Sequence, residues 1–287
     1  MTRTDGIDER LLSVRARDGL VLTGFSAVPR PAPSACVVWA HGFGVSCDLP
    51  QCVAVGRALA GAGVAFVAGN LRGHAGGVTG LRDRGGRTEL VRIGSWWEVF
   101  EESAMDVAAW VDAGRALAAP RLLLVGHSFG AVRSVFYVSE TGGDGVDALV
   151  LGSPSFGLRR LRDDTVRLAR ELVDAGRGEE LLPAGSWPTG FGTDTVSAQT
   201  YASWARVAPG LYAAERTRFA DVRCPLFVWY GAAGDVGGPD EIELIRGLAT
   251  GTPRFDSRLL PGVSHGYAED PEAVASVVAA WADAIAT

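Results

Sequence analysis

The sequence contains no lysine, and all 27 of its basic residues are arginines. We interpret this bias as a composition preference typical of GC-rich genomes. The absence nevertheless excludes several function classes. A Walker A nucleotide loop, a pyridoxal phosphate Schiff base and a lysine-dependent aldolase each require a lysine amine.

Long apolar runs and paired cysteines are also missing. No run reaches the roughly 20 residues that a membrane-spanning helix needs, and the charged N-terminal segment lacks the apolar core of a secretory signal. The four cysteines, Cys36, Cys47, Cys52 and Cys224, are spaced neither as a disulfide framework nor as zinc ligands. We therefore expect a cytoplasmic protein with reduced thiols, no bound metal and no membrane span.

Basic charge is outweighed by acidic charge, which gives a formal net charge of −6. Nucleic acids and anionic membranes attract basic surfaces, so this balance argues against both as partners. The 287 residues, of which 47% are hydrophobic and 21% charged, suffice for one globular α/β domain with an insertion. We expect a small-molecule substrate, and a monomer or homodimer.

Apolar segments of strand length alternate with helical segments along most of the chain. Such alternation is typical of a mostly parallel sheet covered on both faces. The predicted fold class is therefore α/β, with a mostly parallel central sheet and helices on both faces. The predicted strands span residues 11–17, 20–28, 36–39, 64–68, 121–125, 146–151, 225–230 and 254–260, and the main predicted helices span 49–62, 96–117 and 271–286.

Residues 155–220 break this alternation, with predicted helices over 158–175 and 195–207. Connections of this length are usually lids or binding elements, so we predict a helical cap over 155–220 on an α/β core of 1–154 and 221–287. Aromatic side chains of the cap either form its own core or line an apolar substrate pocket, and we favour the pocket. The candidate pocket residues are Phe156, Trp187, Phe191 and Trp204.

The most informative segment is Leu122 to Gly130, where an apolar strand continues into a G-x-S-x-G motif followed by a helical stretch. A serine on a sharp strand-to-helix turn has its hydroxyl exposed above the sheet edge, and small flanking residues let the backbones approach. The following helix points its N-terminus at the same place. We interpret Ser128 as a nucleophile; the alternative is a structural turn.

A nucleophilic serine needs a histidine to accept its proton. Of the four histidines, His265 lies on a loop after the last predicted strand, at the sheet end where open α/β sheets place their sites. His127 lies inside the elbow, and its side chain is expected to point away from the face of the serine. His41 is better suited to shaping a loop, and His74 to a structural hydrogen bond. We predict His265 as the base.

The histidine in turn needs a carboxylate that fixes its tautomer, expected between the serine and the histidine in the chain. Asp235 lies on a turn of small residues after the strand that ends at Tyr230. Asp240 is the second candidate, although a carboxylate there suits the start of a helix. Asp221 precedes the strand and lies at its wrong end. We predict Asp235 as the acid.

A developing oxyanion needs two donors aimed at it in advance. The backbone N–H of Phe129 follows the nucleophile directly, and the backbone N–H of Phe43 in the segment His41-Gly42-Phe43-Gly44 is the second candidate. The alternative for this segment is a dinucleotide-binding fingerprint. That reading is weak because the third glycine is missing and Asn70 stands where an acidic residue is required.

These motifs, taken together and in this order, resemble the α/β-hydrolase superfamily over nearly the whole chain outside 155–220. The resemblance implies Ser128 as nucleophile, His265 as base, Asp235 as its orienting acid, and no cofactor. The segment from Trp96 to Asp106 is similar to bacterial esterase- and lipase-like members.

Two features depart from the family pattern. Asn70-Leu-Arg-Gly-His-Ala75 replaces the Asp-x-Arg-Gly-x-Gly of many members, and the turn from Gly231 to Asp235 is one residue longer than the commoner spacing. The first leaves the subfamily open, and the second bears on the choice of acid.

The function predicted from the sequence is that of a serine hydrolase (carboxylesterase-like). It would cleave an ester, thioester or related acyl bond of a small, largely apolar substrate through an acyl-enzyme on Ser128. A biosynthetic enzyme that catalyses elimination or acyl transfer with the same residues is the alternative. A catalytically silent binding protein would have a broken site, and no position is broken. A serine rather than an aspartate in the elbow argues against epoxide hydrolase and dehalogenase chemistry.

Overall fold

An eight-stranded sheet forms the centre of the protein. In the computed structural model, which describes residues 6–187, 195–213 and 215–286, the strands are β1 (Ile7–Arg15), β2 (Val21–Pro29), β3 (Ala35–Ala40), β4 (Val64–Gly69), β5 (Val78–Arg84), β6 (Arg87–Ile93), β7 (Leu122–His127), β8 (Ala148–Gly152), β9 (Leu226–Gly231) and β10 (Phe255–Leu260). The strand order in the central sheet is β1-β2-β4-β3-β7-β8-β9-β10; the pairs β1–β2 and β2–β4 are antiparallel, and the other pairs of this sheet are parallel. The predicted fold class is confirmed.

Helices cover both faces of this sheet. One buried cluster contains Trp110 and Phe136 from α2 and α3, and the other contains Leu59 and Trp281 from α1 and α7. Strands β3, β4, β7, β8 and β9 are therefore buried at every residue, which explains their uninterrupted apolar sequences. The helices are α1 (Pro50–Gly61), α2 (Ser103–Arg115), α3 (Phe129–Thr141), α4 (Asp163–Asp174), α5 (Ala198–Tyr212), α6 (Pro239–Leu248) and α7 (Pro271–Ala284).

The helix predicted over 96–117 is shorter at its N-terminus, since α2 begins at Ser103. The carbonyls that would accept the first hydrogen bonds of the longer helix accept hydrogen bonds from a side chain of α5 instead. The Thr200 hydroxyl donates to the carbonyl of Trp96 at 3.0 Å and to that of Glu98 at 2.8 Å. A distant side chain therefore overrides the local helical pattern.

The sequence analysis missed the hairpin formed by β5 and β6, which pair antiparallel over their full length. Its two-residue turn is Gly85-Gly86, with both residues at positive φ (60° and 86°). Glycine tolerates this conformation without a Cβ clash, and a Gly-Gly pair between strands is a hairpin signal. The signal was therefore present in the sequence.

Between β8 and β9 the chain leaves the sheet and forms a 3-10 helix, Gly157–Arg160, and then α4 and α5, which pack on each other. The helix predicted over 158–175 is thus two elements separated by Leu161 and Arg162, and the helix predicted over 195–207 extends to Tyr212. The division of the chain into core and cap stays a prediction. No helix in the described ranges combines the length and hydropathy needed to cross a membrane.

Candidate active site

Ser128 lies at the sharp turn between β7 and α3, with φ 57° and ψ −120°. A positive φ is strained for a residue with a Cβ and is found mainly where the surroundings enforce it. The glycines of the motif allow that turn. A Cβ on Gly126 would lie 2.5 Å from the carbonyl oxygen of Gly130, and one on Gly130 would lie 2.2 Å from the carbonyl oxygen of Ala40. Larger residues cannot fit at either position without backbone movement.

His265, on the loop between β10 and α7, joins this serine to a carboxylate. Its Nε2 is 3.0 Å from the Ser128 Oγ, and its Nδ1 is 2.8 Å from the Asp235 Oδ1. An ionised carboxylate can only accept, so Nδ1 carries the proton and Nε2 is left as the acceptor for the serine hydroxyl. The three residues singled out by the sequence analysis therefore form one hydrogen-bonded chain.

The side chain of Asp235 is fully buried (0% exposed), and its carboxylate accepts several hydrogen bonds. Its Oδ2 accepts from the Ser153 hydroxyl and from the Gly231 N–H, and its Oδ1 also accepts from the Val236 N–H at 2.6 Å. Burial alone would raise the pKa of Asp235, but the hydrogen bonds from His265, Ser153 and the two backbone groups outweigh it and lower the pKa below its ordinary value. The carboxylate is therefore ionised at neutral pH.

The other two acid candidates lie elsewhere. Asp240 is exposed in the first turn of α6. Asp221 ends a 3-10 helix before β9 and forms an ion pair with Arg216. Among the three candidates, Asp235 is the one whose carboxylate contacts His265.

Both candidate oxyanion donors adjoin the serine. Gly42 packs against it so closely that a Cβ there would lie 3.1 Å from the Ser128 Cβ, and Phe43 is the next residue. Phe129 is the first residue of α3, so its N–H has no acceptor within the helix. The two phenylalanine rings pack edge to face with centroids 5.9 Å apart. Both backbone segments are thus fixed beside the hydroxyl.

The remaining histidines hold backbone groups. His41 Nε2 accepts from the Leu71 N–H at 3.0 Å, so its Nδ1–H donates to the Gly42 carbonyl at 2.8 Å. The His74 ring lies 2.9 Å from the Leu71 carbonyl. These contacts agree with the structural roles expected for both. His127 donates its Nε2–H to the His265 carbonyl at 2.8 Å, a contact that the sequence analysis did not anticipate.

Two of these buried imidazoles make stability sensitive to acid. Burial lowers the pKa of His41 to about 3, with the charge of Arg133 adding to the effect, and lowers the pKa of His127 to about 3. In the unfolded chain both titrate near pH 6.5. Below that pH the unfolded state binds more protons, so the free energy of unfolding falls as the pH falls. Between pH 7 and pH 5.5 we expect a loss of about 1 kcal/mol for each histidine, measurable by urea unfolding.

The matched test is His41→Gln, which removes one of the two titrating groups. Its stability loss between pH 7 and pH 5.5 should be about 1 kcal/mol smaller than that of the wild type. His74→Gln, at a half-buried ring, is the control. An unchanged pH dependence in His41→Gln would contradict the linkage.

A cavity of about 710 Å³ opens over Ser128 and His265. Two of the candidate pocket residues, Phe156 and Trp187, line it. Trp204 does not, because it is fully buried behind Trp187, with ring centroids 4.6 Å apart. Phe191 lies outside the described residues. The other aromatic side chains on the wall are Trp39, Phe43, Phe129 and Tyr267.

Two buried features of the site were missed by the sequence analysis. One is Ser153, whose hydroxyl holds the Asp235 carboxylate. The other is the ion pair of Arg133 with Glu98, at 2.6 Å, in which both side chains are 0% exposed. The guanidinium of Arg133 also lies 4.7 Å from the centroid of the Phe129 ring. A serine after a strand and an isolated acid and base carry no local signal of such contacts.

Comparisons with known proteins give a family. The profile of the Alpha/beta hydrolase family matches residues 37–277. A search of curated protein sequences found no match.

In the described ranges, no group of three or more histidine, cysteine and acidic side chains is arranged to hold a metal ion.

Solved structures share the fold at low identity. A carboxyl esterase from Bacillus coagulans in complex with glycerol superposes with a TM-score of 0.72 at 15% identity, covering 97% of this chain and 99% of that one. Est1E from Butyrivibrio proteoclasticus with bound ferulic acid gives 0.65 at 18% identity, covering 94% and 97%. DcsB in complex with its substrate analogue gives 0.70 at 17% identity, covering 96% and 99%.

Proposed function

Since the chain belongs to the α/β hydrolase family, we propose that it is a serine hydrolase that cleaves an ester, thioester or related acyl bond through an acyl-enzyme on Ser128. The observation that carries this proposal is the continuous hydrogen-bond chain from the Ser128 hydroxyl through His265 to Asp235, beside a cavity that can admit a substrate. An activated serine nucleophile requires this arrangement of hydroxyl, imidazole and carboxylate.

In the proposed reaction the Ser128 Oγ attacks the substrate carbonyl carbon while His265 Nε2 accepts the hydroxyl proton. Asp235 stabilises the imidazolium that results, because its carboxylate is ionised and contacts Nδ1. The carbonyl oxygen becomes an oxyanion and accepts hydrogen bonds from the N–H groups of Phe43 and Phe129. Collapse of this oxyanion breaks the bond between the carbonyl carbon and the leaving oxygen or sulfur, which takes the proton from His265 and departs as the alcohol or thiol.

Water completes the cycle by attacking the acyl-enzyme. His265 acts again as the base and removes a proton from the water as its oxygen bonds to the acyl carbon. Collapse of the second oxyanion breaks the bond to the Ser128 Oγ, which takes the proton back and releases the carboxylic acid. No step calls for a cofactor.

The substrate is proposed to be small and largely apolar. Six aromatic side chains contribute to the cavity wall, and burial against such a wall favours apolar groups. We further infer that residues 155–220 act as the cap, since Phe156 and Trp187 of this segment face the cavity that contains Ser128.

The direct test is labelling with a fluorophosphonate, which modifies activated serines. Mass spectrometry should locate one adduct on the peptide that contains Ser128, and a panel of aryl and alkyl esters should be hydrolysed. If the protein is not modified, the proposal is wrong. An adduct on Ser128 without hydrolysis of any ester or thioester would instead favour elimination or acyl transfer on the same residues.

Trp187 offers a test of the apolar pocket. In Trp187→Ala we expect kcat/KM for aryl and long-chain esters to fall by about 10-fold or more, because the lost aromatic contact is worth roughly 1.5–3 kcal/mol. Acetate esters, which do not reach this wall, should change less than threefold. The measurement is a chain-length series on both proteins.

The matched control is Trp97→Ala, because Trp97 donates to the Glu179 carbonyl outside the cavity. Its chain-length profile should match that of the wild type. A wild type that prefers acetate, together with a Trp187→Ala profile of the same shape, would rule out the apolar pocket.

A further inference from the structure

The residue before the proposed nucleophile has a role that the reaction itself does not assign. His127 is the last residue of β7 and directly precedes Ser128, and its ring is 7% exposed. The ring stacks between Trp39 and Trp229, with centroid distances of 6.2 and 5.9 Å and interplanar angles of 18° and 24°. Tyr267 packs edge-on against it at 4.8 Å. Its orientation is therefore fixed by aromatic contacts on three sides.

This fixed ring contacts the base through the backbone. The His127 Nε2–H donates to the carbonyl oxygen of His265 at 2.8 Å, across 138 residues of sequence. Three hydrogen bonds to described residues therefore bear on the position of His265: one at Nε2 with Ser128, one at Nδ1 with Asp235 and one at its carbonyl with His127. The bond at Nε2 must rearrange as the proton moves in the proposed reaction, whereas the bond at the carbonyl involves no reacting atom.

The loop that carries the base needs such a fixed point. It contains Gly266, which is free to adopt many backbone conformations, and Tyr267, which has a positive φ of 44°. The position of this loop matters for the proposed reaction, because a misplacement of the imidazole by about an ångström costs on the order of 100-fold in rate.

We propose that His127 is a positioning residue which, by donating to the His265 carbonyl, sets the distance between the base and Ser128. The inference rests on the proposed function, because it concerns the geometry of that reaction. The elbow thus supplies both the nucleophile and the donor that aligns its base, from two adjacent residues of one strand end. Burial lowers the pKa of His127 to about 3, so the ring stays neutral at working pH.

The test compares three variants with the wild type. His127→Phe keeps an aromatic ring in the stack but removes the donor, and we expect kcat and the rate of fluorophosphonate labelling to fall together by about 10- to 100-fold. KM should change less than threefold, because phenylalanine keeps an aromatic ring at this position of the cavity wall, which His127 helps to line. His127→Gln restores an N–H of similar reach and should recover most of the lost rate.

Trp229→Phe is the control for packing, since it alters the stack and leaves the donor in place. Its kcat should stay within threefold of the wild type even if its melting temperature falls. Loss of rate in Trp229→Phe equal to that in His127→Phe, or wild-type rates in a folded His127→Phe, would overturn the proposal.

A spectroscopic measurement on the wild type covers the case in which His127→Phe does not fold. With four histidines in the chain, ¹⁵N-histidine NMR can identify each ring, and His127 should be a neutral Nε2–H tautomer whose proton exchanges slowly. A Nδ1–H tautomer or a charged ring contradicts the inference. If fluorophosphonate does not label the wild type, the proposed function is wrong. The tautomer of His127 still tests the hydrogen bond in that case.

Discussion

Ser128→Ala should lose at least about 10³-fold in kcat on any ester that the wild type hydrolyses, because the variant has no atom that can form the acyl bond. The melting temperature should hardly change. The Ser128 hydroxyl bonds to His265, its one hydrogen-bond partner among the described residues, and alanine has the same Cβ in the same strained backbone. We therefore expect this substitution to abolish activity and to leave stability nearly unchanged.

Ser134→Ala is the matched control, on the same helix that follows the elbow. Within the part of the chain that the structure describes, its buried hydroxyl has no hydrogen-bond partner, so its removal should cost neither activity nor stability. Turnover by Ser128→Ala near the wild-type rate, or fluorophosphonate labelling of that variant, would remove Ser128 from the proposed mechanism.

Asp235→Asn should reduce kcat by about 10⁴-fold, the loss known for the same change in a serine protease. An amide cannot stabilise an imidazolium by charge, and its NH2 group favours the wrong tautomer of His265. The NH2 group of the amide would also face a donor, because the Ser153 hydroxyl and the N–H groups of Gly231 and Val236 all donate to the carboxylate. We therefore expect a lower melting temperature as well.

Asp240→Asn is the comparison that separates the two acid candidates. Asp240 is exposed at the start of α6, where a carboxylate contributes at most about 1 kcal/mol through the helix dipole. Its kcat should equal that of the wild type. If Asp240→Asn is the inactive variant and Asp235→Asn is active, the acid has been assigned to the wrong residue.

The residues of the proposed mechanism could be predicted because each follows a strand in a recognisable local pattern. Ser128 has flanking glycines that the elbow requires, and His265 and Asp235 lie on turns after strands whose apolar sequences are unmistakable. Parallel strands bring their carboxyl ends to one edge of the sheet, so order along the chain sufficed to bring these residues together.

The remaining features depend on contacts that no local pattern encodes. Ser153 acquires its role only because Asp235, 82 residues away, lies beside it. The early start predicted for α2 was wrong because Thr200 occupies carbonyls that a longer helix would need. Trp204 was predicted on the pocket wall because its sequence neighbourhood does not show which of the two contacting tryptophans, Trp187 or Trp204, faces the cavity.

The strand order has a consequence for how the protein becomes active as it is synthesised. The base follows β10, the last strand of the chain in the described structure, and contacts a serine 137 residues earlier. Contacts of such large sequence separation form late in folding, because loop closure costs entropy before the contact is gained. A nascent chain that has completed the elbow therefore displays a serine with no base beside it. Under the proposed mechanism, Ser128 is therefore activated only when β9 and β10 have joined the sheet edge.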